Sequence, residues 1–249
     1  MLRMDKYLAD MGIGTRSEVK KYMKAGRVKV DGNICKSGEM KVDPTKQKVS
    51  VDGEEISYVT YEYYLLHKPS GVLSAARDPH ATTVVDLISS KVRDDLFPVG
   101  RLDKDTEGLL LITNDGVLAH QLLSPKKHVD KTYYVELDHP LEDGEALCKA
   151  FQEGFSIGEG IITEEAKLEI LPSKGGTGCA LLTIHEGKFH QVKRMFSHQG
   201  YEVTYLKRIS MGPLMLPEDL LRGEYRKLTD EEIASLKAIG SGGMDVSKN

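Results

Sequence analysis

Two stretches of this 249-residue chain gather ionisable groups closely enough to do chemistry. The first is GRLDKDTEG, residues 100–108, followed by the apolar run LLLIT and an NDG turn ending at Gly116. An aspartate on a glycine-bounded loop beside an arginine is a candidate nucleophile or general base. Gly100 and Gly108 would let the backbone turn sharply and approach a ligand closely. An ordinary charged surface loop has the same composition, so spacing alone leaves that alternative open. The second stretch is EGKFHQVKRMF, residues 186–196. His190, Gln191, Lys193 and Arg194 cluster where a helix should begin, and Val192, Met195 and Phe196 share an apolar face. Such a helix start suits an anionic or polar partner. An exposed basic helix end is the other reading.

These groups need elements to hold them. Buried strands are expected at YYLLHK (63–68), LLLIT (109–113), KTYYVEL (131–137) and CALLTIHEG (179–187), with helices near 117–123, 142–153 and 190–199. Helices do not alternate regularly with these strands. The pattern therefore predicts an α+β domain over residues 62–238, with a largely antiparallel mixed sheet flanked by helices. Residues 57–62 read as a linker, and 239–249 as a disordered tail.

The head of the chain reads differently. DKYLADM (5–11) is a short helix, and a second helix is expected over 16–25. Thr15 and Glu18 have the spacing of a capping box, and Gly26 suits the left-handed position after the helix end. Arg16, Lys20, Lys24 and Arg27 fall on one side, while Val19 and Met23, with Tyr22, can face a core. Asp31-Gly32 and Asp52-Gly53 each follow a V-x-V run and predict two type I′ hairpins. Residues 1–58 thus form a small α/β unit. Its first 36 residues carry a net charge of +5, and the remaining residues −9, within a chain total of −4. That asymmetry points to an electrostatic footprint at the N-terminus, although a solvated helix face would also account for it.

Composition narrows the class. Apolar residues are 40% and charged residues 29%, enough for a packed core. No apolar run is long enough to span a membrane, and the first twenty residues lack a signal-peptide core. Cys35, Cys148 and Cys179 form no CxxC pair, which fits a reducing cytoplasm. His185-Glu186-x-x-x-His190 is one residue too long for a metalloprotease helix, and Gly187 interrupts it. The other histidines, His67, His80, His120, His128, His139 and His198, have no ligand-like spacing. No metal is expected. Neither GxxxxGK nor GxGxxG is present, so no nucleotide cofactor is expected either.

Two resemblances follow from these motifs. MDKYLADMGIGTRSEVKKYMKAGRVKVDG resembles the ribosomal-protein-S-four-like RNA-binding domain. The resemblance implies RNA-phosphate contacts from Arg3, Arg16, Ser17, Lys20, Lys21, Lys24 and Arg27. GRLDKDTEGLLLITNDG, HVDKTYYV, EGKFHQVKRMF and GEYRKLTDEEI, in that order, resemble the pseudouridine synthases, most closely the RsuA-type branch. The resemblance implies that Asp103 is the essential aspartate, that Tyr133 stacks on the target base, and that Lys193 pairs with the aspartate. Most of these enzymes carry Arg at the Lys193 position. Lys keeps the charge but loses the bidentate fork, which leaves open whether Lys193 or Arg194 is the partner. Arg101 and Thr106 would shape the loop, and Met195 would pack near the base.

The implied reaction breaks a carbon–nitrogen glycosidic bond, turns the uracil and rejoins it through carbon five. Nothing is oxidised or hydrolysed, so no cofactor is required. A cation beside Asp103 would keep it ionised. Whether Asp103 attacks the sugar, attacks the base or removes a proton stays open. The expected partner is small-subunit (16S) rRNA, with uridine 516 as target, free or in an assembling particle. The protein would act as a cytoplasmic monomer with no membrane contact. A large-subunit (23S) rRNA uridine, or a non-catalytic ribosome-assembly role, is the alternative.

Overall fold

The structure is a computed structural model that describes residues 1–241. The chain divides into two units, Met1–Glu62 with Ile88–Leu96, and Tyr63–Leu87 with the chain from Phe97 onward.

In the first unit, β1 (Leu2–Arg3) leads directly into α1 (Met4–Asp10), and α2 spans Arg16–Lys24. The Thr15 side chain accepts the Glu18 amide at 3.3 Å, and the Glu18 carboxylate accepts the Thr15 amide at 2.8 Å. Those two bonds satisfy donors that a helix start leaves open. Strands β2 (Val28–Val30), β3 (Asn33–Ile34), β4 (Lys41–Val42), β5 (Val49–Val51) and β6 (Glu54–Glu55) follow. Asp31, Gly32, Asp52 and Gly53 all have positive φ, as type I′ turns require. The sheet runs β3-β2-β5-β6, and β1 pairs with β4. Tyr7, Leu8, Val19, Met23, Val28 and Val49 form the core.

Residues 57–62 do not behave as a linker. The Tyr58 hydroxyl donates to Asp10 at 2.8 Å, and its ring lies 4.9 Å from that of Tyr7. Buried Arg93 comes from a segment thirty residues later; it pairs with Asp95 at 2.6 Å and donates to the Val59 carbonyl at 3.1 Å. Nothing in the local pattern of 88–96 marks it as part of the head, because only the return of the chain places it there.

The second unit holds β7 (Tyr63–Lys68), β8 (Phe97–Pro98), β9 (Glu107–Thr113), α3 (Gly116–Leu123), β10 (Lys131–Leu137) and α4 (Gly144–Glu153). It continues with β11 (Lys167–Lys174), β12 (Thr177–Ile184), α5 (Gln191–His198), β13 (Val203–Met211), β14 (Leu214–Met215), β15 (Tyr225–Lys227) and α6 (Asp230–Ser241). The sheet order is β11-β12-β10-β13-β9-β7-β15, with β14 beside β13 and β8 beside β9. Every pairing is antiparallel except β13 with β9. The fold is the α+β arrangement with a largely antiparallel mixed sheet that the sequence predicts. Helix α6 continues through Ser241, beyond the start expected for the tail, and residues 242–249 lie outside the described residues.

Strand β9 is buried along its whole length. Leu109 and Leu111 join a core with Leu118, Leu122, Met211 and Leu236, while Leu110 and Ile112 point to the opposite face. Gly108 meets a particular demand. It has φ +108°, and a Cβ there would lie 2.2 Å from the Arg208 carbonyl oxygen. The glycine therefore permits the parallel approach of β9 to β13, and not the approach to a ligand that its loop position suggests. β13 itself is not anticipated, because Lys207 and Arg208 interrupt its apolar alternation. Arg208 is nevertheless buried, and its Nε donates to the Leu109 carbonyl at 2.8 Å.

Candidate active site

The loop entering β9 carries Asp103, and backbone contacts fix its shape. The Ser74 hydroxyl donates to the Leu102 carbonyl at 2.7 Å and accepts the Leu102 amide at 3.1 Å. The Gly71 amide donates to the Lys104 carbonyl at 2.8 Å. Beneath the loop, the ammonium of fully buried Lys68 reaches the carbonyls of Pro69, Lys104 and Thr106 at 3.1, 3.1 and 2.9 Å. Burial lowers the Lys68 pKa to about 8, against the pull of Asp105, Glu107 and Asp103. Lys68, Gly71 and Ser74 are absent from the sequence-based site; the available signal is a strand that ends on a lysine before Pro-Ser-Gly.

Helix α5 supplies the facing groups. His190 sits at its start with φ +50°, a conformation uncommon outside glycine. Its Nε2 lies 3.5 Å from Asp103 Oδ1, and Lys193 Nζ lies 3.6 Å from Asp103 Oδ2. Lys193 is closer to Asp105, at 2.7 Å from both oxygens, and this bond holds the Asp105 carboxyl below the ordinary aspartate range. The Asp103 side chain is 28% exposed, so the loop is not merely a solvated surface turn. Tyr133, on β10, is buried beside the same cleft, whose walls include Arg101, Leu102, Thr106, Lys188 and Leu206. Four cationic or imidazole groups thus surround one partly buried carboxylate, with an aromatic ring alongside.

Other expected residues fall elsewhere. Arg194 points away and holds the Ile157 carbonyl at 2.9 Å and Glu159 at 3.1 Å. Lys193 is therefore the cation beside Asp103, because successive helix positions face about 100° apart. Met195 is fully buried and does not line the cleft. Gln191 lines it, but its amide is committed to the Glu186 carboxylate and to the Lys188 amide, the latter at 2.9 Å. Thr106 Oγ1 is buried at the cleft with no hydrogen-bond partner among the described residues. His185 and His190 do not share a site, since His185 Nε2 bonds Glu164 at 2.8 Å.

Residues 62–198, more than half of the chain, match the family model of RNA pseudouridylate synthases. The chain belongs to the RNA pseudouridylate synthase family. These enzymes are isomerases. Residues 2–48 match the S4 domain, an RNA-binding module. The Bacillus subtilis (strain 168) protein named "Uncharacterized RNA pseudouridine synthase YtzG" is 49% identical over 93% of this chain and 97% of its own. The Yersinia pestis protein named "Ribosomal small subunit pseudouridine synthase A" is 40% identical over 95% and 99%. Another Bacillus subtilis (strain 168) protein, "Ribosomal large subunit pseudouridine synthase B", is 38% identical over 98% of each chain. A solved structure described as "Crystal structure of pseudouridylate synthase" superimposes with a TM-score of 0.65 at 37% identity, covering 95% of this chain and all of that one.

In the S4 unit of this pseudouridylate synthase, Arg16, Ser17, Lys20, Lys21 and Lys24 are exposed along α2. Arg3 and Arg27 are engaged within the unit, Arg3 with Asp5 at 2.9 Å and Arg27 with Asp52 while stacked 4.1 Å over the Tyr22 ring. Lysines that meet phosphates release counterions, so Lys20→Ala with Lys24→Ala should weaken RNA binding and reduce the slope of log affinity against log salt by about 2. Titrations at several salt concentrations measure this. An unchanged slope removes α2 from the interface.

Proposed function

We propose that this chain isomerises a uridine of small-subunit rRNA, the one at position 516, to pseudouridine, with Asp103 as the reacting carboxylate. The supporting observation is the placement of Asp103 in a concave basic site, 3.6 Å from Lys193 and 3.5 Å from His190, beside the Tyr133 ring. Cleaving the glycosidic bond develops positive charge at the sugar, which a nearby carboxylate stabilises or traps. Rejoining through carbon five leaves one proton to remove there, and the same carboxylate is within reach to take it. A stacked base cannot enter such a cleft. The uridine must be flipped out, and Tyr133 offers the surface that holds it. Arg101, in the wall of the cleft, would meet a flanking phosphate. The first unit, in which residues 1–58 form the expected RNA-binding part, holds RNA, the second unit carries the reaction, and the protein works as a monomer in the cytoplasm without a cofactor.

If stacking is what Tyr133 contributes, Tyr133→Phe should keep turnover within about threefold, and Tyr133→Ala should lose roughly 10–100-fold, since a base–aromatic stack is worth about 1–3 kcal/mol. Equal losses in the two variants would assign the role to the hydroxyl.

The 38% relative named for the large subunit supports the second reading. Uridine labelled with tritium at carbon five separates the two, because the new carbon–carbon bond releases the label. Release from small-subunit RNA alone is the expected result. Release from large-subunit RNA moves the target, and tight binding without release from either RNA indicates an assembly factor.

A further inference from the structure

We propose that His128, Glu164 and His185 form a binding site for a zinc-class divalent ion, separate from the Asp103 cleft. The three residues are far apart in sequence, and the fold brings their ligand atoms within 4.8 Å of one another. His185 Nε2 already lies 2.8 Å from Glu164 Oε2, and the His128 and His185 rings meet edge to face with centroids 4.8 Å apart. Two imidazoles and one carboxylate are a donor set that zinc accepts, with a fourth position left to water. A tetrahedral ion at about 2.0–2.1 Å from each ligand sets ligand atoms roughly 3.3 Å apart, so side-chain rotations alone would close the site.

The backbone around the ligands is already held. The Glu164 amide donates to the Glu186 carboxylate at 3.0 Å. The His185 carbonyl accepts from Lys131 at 3.3 Å. The His128 amide closes a short turn onto Pro125 at 3.2 Å, and His128 adopts φ +45°, which is costly for a residue with a side chain. His128 and Glu164 are exposed, which gives an ion access from solvent. None of the three lines the cleft around Asp103. The residue after His185 is Glu186, whose carboxylate holds Gln191 and Lys188 at the cleft edge. An ion here would therefore pin the base of that edge, and its role is structural.

The test uses the full chain freed of metal with a chelator. Calorimetric titration with Zn2+ should show one ion per chain, and Co2+ should give the visible absorption of a four-coordinate site. Mg2+, which prefers oxygen ligands and six-coordination, should not compete. His128→Ala and His185→Ala should each weaken Zn2+ binding at least tenfold, while His190→Ala, in the cleft, should leave it unchanged. Zinc should raise the Tm of the wild type but not of His128→Ala, whose exposed side chain makes it safe for folding. Absence of binding, or binding equally tight in His128→Ala and His185→Ala, overturns the proposal. So does loss of binding in His190→Ala with the other two unaffected.

Discussion

Asp103→Asn should bind small-subunit RNA with unchanged affinity and form pseudouridine at least about 1,000-fold more slowly than the wild type. The amide is nearly the same size as the carboxylate, so the loop keeps its shape. The bonds that define the loop come from Ser74, Gly71 and Lys68 and do not involve the Asp103 side chain, which faces His190 and Lys193 at 3.5 and 3.6 Å. What disappears is the negative charge that can trap or stabilise the sugar cation and take the proton. Phosphate contacts are untouched, so affinity and its salt dependence should persist. Tritium release with saturating RNA, beside a binding titration, measures both. Turnover within tenfold of wild type would remove Asp103 from the chemistry, and a parallel loss of affinity would recast it as a binding residue.

Lys68→Met should lower turnover by roughly 100-fold and destabilise the second unit by about 3 kcal/mol, because it strips the only side-chain donor described for three carbonyls in a buried place. The lysine bonds the backbone on both sides of Asp105, at Lys104 and Thr106. Without it the loop can shift, and a displacement of about 1 Å at the reacting carboxylate costs two orders of magnitude in rate. A pH signature distinguishes this from simple loss of packing. The folded pKa is about 8, below the ordinary 10.5. Below about pH 8 both folded and unfolded states carry the proton, and the slope of stability against pH has no contribution from Lys68. Between about 8 and 10.5 the unfolded state holds more protons, so this lysine makes stability rise with pH, by at most about 1.4 kcal/mol per unit. Buried Lys131, whose pKa is also lowered by burial to about 8, contributes in the same sense and remains in the variant. Denaturant unfolding from pH 7 to 10.5 should thus show a smaller slope for Lys68→Met than for the wild type. An identical slope would mean that Lys68 does not titrate in this window, and wild-type turnover would free the loop from its control.

Local rules acted on the head of the chain almost alone. A capping box, a glycine after the helix and two Asp-Gly turns are short-range devices, so α1, α2 and both hairpins are legible from a few neighbouring residues. In the second unit, the runs at 63–68, 109–113 and 131–137 announce their strands because they are continuous or strictly alternating. β13 and the segment 88–96 are not legible in this way. Charges interrupt the first, and the second belongs to the head only because the chain returns there.

The same division applies to the site. Composition marks GRLDKDTEG and EGKFHQVKRMF only as dense in ionisable groups, and the family resemblance singles out Asp103 and Lys193 within them as candidates. Neither stretch tells which side chains meet. Sequence spacing makes Lys193 and Arg194 equal candidates, and helical rotation sends one to Asp103 and the other to Glu159. Met195 reads as a cleft residue and lies in the core. Lys68 carries no motif, yet its depth beneath the loop follows from the pairing of β7 with β9. His128, Glu164 and His185 have no common spacing to read. By itself the sequence determined the family, through four ordered motifs that resemble it, and the fold class, through the periodicity of its strands and helices; the reacting groups it only nominated, through that resemblance. Only the tertiary structure decided which groups touch, because contacts between distant segments depend on how strands pair and helices rotate, and no local pattern records that.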